Sequence, residues 1–433
     1  MNWLKDMWII GLALFSMFFG AGNVIFPPYI GYTSGSQWFL SFACYYIADI
    51  GLGLLAILAM LRCGSDIEGI TKRIGKVPSN ILSLLIILCV GPLIAIPRTA
   101  ATTYELSVLP LTAIIDVQIF SGVFFLLVLL LSIKELSVLD IVGKFLTPLL
   151  FLSLIAIGIK GFVTPLGSIV TMSKTTTVIS EGIMAGYQTM DVLGALIFGV
   201  IILKTVASKG YTDDLIKKKI IGGASIITGL GLFLVYCGLA HMGATTSSFL
   251  PSYITRVGLV TRCVEMLFGS WGTIILSVMV ALACLTTAIG LTSSAGTYIA
   301  RMTNNKCSYV FVVTCICLFS GIVSTLGVEA IVKYAALILS IVYAPAITLI
   351  VLTLYGKKIK NDNVFKGGAL GAFLVSILTL AGSNGVEIFA FVKLLPLSSI
   401  DLGWVLPAVL GGVLGSFIKS SGKDDAFISE VEI

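Results

Sequence analysis

The first apolar run of the chain is interrupted by Phe19-Gly20-Ala21-Gly22-Asn23-Val24-Ile25-Phe26-Pro27-Pro28. Two glycines, an asparagine and two prolines sit where a membrane helix should be continuous. Backbone polar groups do not stay unpaired in hydrocarbon, so such a break is viable only where it is buried in protein or lines a cavity. A helix broken near the bilayer midplane also presents two opposed half-helix ends, one partly positive and one partly negative. That is a ready-made site for a zwitterion and a cation, and it points to a transporter.

The rest of the chain is consistent with a membrane location. Its 433 residues are 58% hydrophobic and 11% charged, with a mean hydropathy of +1.08, whereas soluble domains carry about 25% charged residues. A single integral membrane domain over 1–433 is expected. The longest stretches between apolar runs, 242–270 and 382–402, are shorter than the roughly 50 residues a domain needs. The first run follows Lys5 and Asp6 and ends in Phe26-Pro27-Pro28, not in a small-residue cleavage site, so it reads as a retained span. The nine cysteines are scattered, and Cys315 and Cys317 lack the second pair that a zinc site needs. The net charge of +6 comes with no basic-aromatic patch that would suit nucleic acid.

Runs long enough to cross a bilayer, about 20 residues, fall near 7–31, 37–61, 79–104, 117–133, 140–160 and 184–205. Six more fall near 218–241, 271–299, 307–326, 331–355, 366–381 and 403–418. Twelve spans put both termini on one side. Of the 27 Lys and Arg residues, 20 then lie on that side, among them Arg62, Lys72, Arg73, Lys134, Lys144, Lys357 and Lys423. Six (Lys160, Lys174, Arg256, Arg262, Lys333 and Lys393) lie on the other, and Arg98 lies within a span. The positive-inside rule places both termini in the cytoplasm.

Span 6 carries its own interruption, Glu181-Gly182-Ile183-Met184-Ala185-Gly186-Tyr187-Gln188-Thr189-Met190-Asp191. The two breaks head two five-span halves, about 7–160 and 184–355, with extra helices over about 366–418. Interrupted segments in matching positions of two halves point to a midplane site in an inverted-repeat transporter. The halves show no strong residue identity, so the repeat rests on spacing. Two unrelated glycine-rich packing spots are the alternative.

These residues carry a resemblance. The run Phe18–Pro28 resembles the first helix of the bacterial branched-chain amino acid:cation symporter family. Gly91-Pro92-Leu93-Ile94-Ala95-Ile96-Pro97-Arg98-Thr99-Ala100 is similar to its third-span motif, and Glu181-Gly182 with Gly186–Asp191 to its sixth. The likeness covers essentially the whole chain. It implies a multi-pass protein of the bacterial cytoplasmic membrane with an all-α, LeuT-like fold of 5+5 inverted repeats plus two helices, helices 1 and 6 being discontinuous. It also implies sodium-coupled uptake of leucine, isoleucine and valine, with sodium as coupling ion and no other cofactor.

By the LeuT logic of opposed half-helices, N–H groups beginning around Ala21, Gly22 and Asn23 face the substrate carboxylate, and carbonyls ending around Phe18–Gly20 face the ammonium or sodium. Gly20 and Gly22 suit close approach of backbone to ligand. Asn23 either caps the second half-helix or contacts the ligand. Gly186, Tyr187, Gln188 and Thr189 supply the facing wall, Tyr187 and Gln188 having packing and capping as alternatives. In span 8, Ala283, Thr286 and Thr287 share one face at i, i+3 and i+4. By the resemblance they join Ser16 and Phe19 around sodium, which, like other hard cations, favours oxygen ligands. Back-bonding within the helix is the alternative for the threonines, and Thr292-Ser293-Ser294 is a competing set.

Ionisable residues within the membrane default to functional roles. Arg98 orients a gate or contacts a carboxylate, or else pairs with Glu105 or with carbonyls. Asp49 is a structural acid or part of a proton route, and Asp191 caps or gates. His241, at the end of span 7, suits an interfacial role. A proton-coupled carrier of another neutral amino acid is the nearest alternative. A membrane enzyme lacks a metal-ligand, Ser/His/Asp or paired-carboxylate set, and a channel lacks a filter repeat.

Overall fold

The computed structural model describes residues 3–63, 67–112, 114–133, 152–171, 175–211, 213–251, 253–356, 358–383 and 387–419. Residues 140–151 of the fifth expected span lie outside them, as do Lys134, Lys144, Lys174, Lys357 and Lys423. Among the described residues every regular element is helical. In chain order the main helices begin with α1 Trp3–Phe18, α2 Ala21–Ser34, α3 Trp38–Tyr46, α4 Leu52–Cys63, α5 Lys76–Leu88, α6 Ala95–Thr103 and α7 Val117–Ile133. Next come α8 Leu152–Val163, α9 Thr175–Thr189, α10 Asp191–Ser208, α11 Asp214–Ala244 and α12 Arg256–Met302. The last are α13 Tyr309–Ser324, α14 Val328–Leu354, α15 Asn363–Ser383 and α16 Val405–Phe417.

Seven helical stretches among the described residues are long and apolar enough to cross a bilayer, and four shorter apolar helices accompany them. Large apolar side chains in mid-helix, such as Ile47, Leu126, Leu234 and Ile322, are exposed, as lipid-facing residues should be. The long α12 bends at Gly269, whose φ of 65° is a left-handed geometry that glycine adopts without strain.

The chain divides into two compact units. The first comprises Met1–Ile50, Ile87–Asp191 and Lys219–Ala335. Here glycines let helices approach closely, the small-residue packing of membrane bundles. A Cβ on Gly31 of α2 would stand 1.8 Å from the Ala240 carbonyl oxygen of α11, and one on Gly243 would stand 1.8 Å from that of Pro28. On α9, Gly182 and Gly186 face the carbonyls of Ser41 and Tyr45 on α3 in the same way.

The second unit comprises Gly51–Ile86, Val192–Lys218 and Ala336–Ile433. Within it α15 and α16 meet through Gly367, Gly371, Gly411 and Gly415. Arg73 pairs with Asp362, donates to the Ile359 carbonyl at 2.8 Å, and lies 3.8 Å from the centre of the Phe365 ring.

Both expected helix interruptions are present. The first falls at Phe19-Gly20, between α1 and α2. The second does not fall at the glycines: α9 runs through Gly182 and Gly186 to Thr189, and the chain turns at Met190, with φ 70°. The glycines of this segment serve helix approach, while a methionine takes the strained backbone position.

Candidate functional site

The site is built around the α1–α2 break, within the first unit. Gly20 is extended (φ −116°, ψ −174°), and a side chain placed on it would project into open space. The Phe19 amide still donates to the Phe15 carbonyl at 2.9 Å, and the Asn23 amide reaches back to the Gly20 carbonyl at 3.1 Å. The N–H groups of the first turn of α2 point toward the break, an arrangement that favours an anion. Gly22 makes its close approach to Arg98, whose Nη2 would stand 3.0 Å from an added Cβ.

Asn23 is buried and does something other than cap its own half-helix. Its Nδ2 lies 2.7 Å from the Phe18 carbonyl oxygen, 2.5 Å from Asp191 Oδ2 and 2.6 Å from the Tyr236 hydroxyl. It therefore closes the carbonyl end of α1 and ties that end to the start of α10 and to α11.

Arg98, buried on α6, pairs with carbonyls and not with Glu105. It donates to the carbonyls of Gln188 and, at 2.9 Å, of Thr189. These are carbonyls that the end of α9 leaves without intrahelical partners. Glu105 instead accepts from the Val328 amide at 2.8 Å. Thr189 donates through its hydroxyl to Asp49 Oδ1 at 2.6 Å, with the Gly186 carbonyl oxygen at 2.5 Å. Tyr187 is buried, Gln188 is half-buried, and Gly186 packs against Tyr45, Ala48 and Asp49.

Asp49 lies on a one-turn π-helical stretch, Ile47–Gly51, a distortion frequent at functional sites. The Tyr45 phenol and the Asp191 carboxyl flank its carboxyl group. Asp49 and Asp191, singled out from sequence as intramembrane acids, thus join the site, and Tyr45 and Tyr236 join it without having been singled out. The intramembrane acids were the available signal; their convergence was not.

The proposed cation residues are disposed as follows. Phe19 is buried, its ring 6.1 Å from that of Phe15 and 6.2 Å from that of Tyr236. Ala283 is buried, while Ser16, Thr286 and Thr287 are half-buried. The Thr286 hydroxyl donates to the carbonyls of Leu282 and Ala283 at 3.1 and 2.9 Å, the back-bonded arrangement. In the competing set, the Thr292 hydroxyl is fully buried without a hydrogen-bond partner. His241 stacks on Phe162 with ring centres 4.1 Å apart and meets the edge of Trp38, a packing role.

Residues 4–421 match the family described as branched-chain amino acid transport protein. The branched-chain amino acid permease BraB of Bacillus subtilis is 36% identical over 423 residues, covering 95% of each chain. The permease BrnQ of Escherichia coli K12 is 32% identical over 423 residues, covering 95% of this chain and 94% of that one. Among solved structures, the inward-facing conformation of Mhp1 superposes with a TM-score of 0.64, covering 97% of this chain and 94% of its own at 13% identity. The fold is LeuT-like, with the first and sixth membrane spans discontinuous, at Phe19-Gly20 and at Met190.

Proposed function

Because the chain belongs to the branched-chain amino acid transport protein family, whose members are carriers and not enzymes, we propose that it takes up leucine, isoleucine and valine together with sodium, by alternating access. The observation that carries this reading is the α1–α2 break: an extended Gly20 between two half-helix ends, with open space beside it. The substrate carboxylate meets the N–H groups of Ala21, Gly22 and Asn23, and its aliphatic side chain lies against apolar wall. Arg98, Gly186, Tyr187, Gln188 and Thr189 form the opposite boundary, with Arg98 clamping the end of α9. The relatives' printed names support the substrate class.

Sodium is assigned to Ser16 and Phe19 at the end of the first half-helix together with Ala283, Thr286 and Thr287 of α12; Ser16, Thr286 and Thr287 are half-buried, and Ala283 shares a face with each threonine at i+3 and i+4. The driving force is ample: one charge crossing 100 mV releases about 2.3 kcal/mol, roughly a fifty-fold accumulation. The Lys and Arg distribution supports cytoplasmic termini, and the matching breaks support two five-span repeats over about 7–160 and 184–355.

Labelled-leucine uptake into proteoliposomes under imposed sodium or proton gradients tests the proposal. Sodium-stimulated uptake, with the stimulation reduced by Thr287→Ala, is expected. Uptake indifferent to sodium, or equally sodium-responsive in Thr287→Ala, contradicts the sodium assignment.

A further inference from the structure

The acids beside the break raise a question that sodium at α12 leaves untouched. Asp49 and Asp191 come from distant parts of the chain, and both are buried, Asp49 completely. Their carboxyl groups lie against one another. Each is held from a different side, Asp49 by the Thr189 hydroxyl and Asp191 by the Asn23 amide. Asp49 Oδ2 has no hydrogen-bond partner, and neither does the Tyr45 hydroxyl.

The titratable and charged groups facing the pair are Tyr45 and Tyr46 on α3, Tyr236 on α11 and Arg98 on α6. Arg98 is thus the one cation among the described groups that face it. Two carboxylates against one guanidinium leave one negative charge uncompensated among buried side chains. Buried charge of that kind is neutralised or paired, and two carboxyl groups sharing a site do not both ionise.

We propose that Asp49 and Asp191 form one proton-binding site, holding a single proton between them. One proton brings the charge of the pair and Arg98 to zero. It also supplies a donor within a pair of which Asp49 Oδ2 has no hydrogen-bond partner. The site uses none of the residues assigned to sodium and stands whether or not sodium is the coupling ion. The protein would then carry a protonatable centre within the first unit, where Asp49, Thr189 and Asp191 meet.

Infrared spectroscopy of the full-length protein in lipid at neutral pH reads this directly. The expected result is a protonated-carboxyl carbonyl band that shifts when aspartate is labelled with carbon-13, which separates aspartate from glutamate. Asp49→Asn and Asp191→Asn should each abolish it, because either variant leaves a lone carboxylate beside Arg98. Absence of the band in wild type, or its survival in either variant, overturns the shared site. Should neither variant fold, the labelled wild type decides by the presence or absence of the band.

Discussion

The two helix breaks solve the same problem in different ways. At Gly20 the backbone is extended, φ is ordinary, and open space lies alongside. At Met190 the backbone is left-handed, and Arg98 covers the carbonyls freed at Gln188 and Thr189. The first break is left accessible to a ligand. The second is closed by a side chain from another helix, and its neighbouring glycines hold α9 against α3. A broken membrane helix is therefore not in itself a binding site; what matters is which end the protein has already satisfied.

Substitutions should separate the two breaks, and the largest effect is expected at Arg98. Arg98→Ala leaves the buried carboxyl pair without the cation that faces it and the Gln188 and Thr189 carbonyls without their donor, and each buried polar group so stranded costs about 1–3 kcal/mol, more where charge is involved. Loss of folded protein, followed by thermal melts in detergent, is the expected outcome. Gly186→Val comes next, since even a Cβ would lie 2.8 Å from the Tyr45 carbonyl oxygen and 2.9 Å from Ala48 Cβ. Overpacking of this kind costs about 1–3 kcal/mol, and the melting temperature should fall while Gly20→Val leaves it in place.

Thr189→Val sharpens the contrast further. It removes the donor to Asp49 within a buried network, worth about 1–3 kcal/mol when the partner is stranded. Melting temperature should drop by less than in Arg98→Ala. The smallest effect is expected for Gly20→Ala, because an added Cβ meets no atom within 4 Å and the backbone there is extended. The variant should melt at or slightly above wild type, by the roughly 0.4–1 kcal/mol that lost freedom of the unfolded chain contributes, and a clear loss of stability would mean that the space beside Gly20 is not open.

The sequence made the first break legible to within a few residues, because glycine and proline act locally and the observed bounds, Phe18 and Ala21, fall inside the expected ranges 18–20 and 21–23. It also made the acids and Arg98 suspect, since charge in a membrane helix is conspicuous. Two things were not legible. The glycines of span 6 invited a break where they instead permit approach to α3; a glycine looks the same in either role until its neighbour is known. The convergence of Asn23 with Asp191, 168 positions apart, and with Tyr236 depends on long-range contacts that no local pattern encodes. The back-bonded Thr286 shows the reverse case, a local hydrogen bond that helix geometry alone made available.

The central claim is that the ligand occupies the open space at Gly20. Equilibrium binding of labelled leucine to purified wild type and Gly20→Val, in sodium and in choline, tests it most directly. The account predicts sodium-dependent binding by wild type and its loss in Gly20→Val at unchanged melting temperature. Normal leucine binding by a folded Gly20→Val would contradict it.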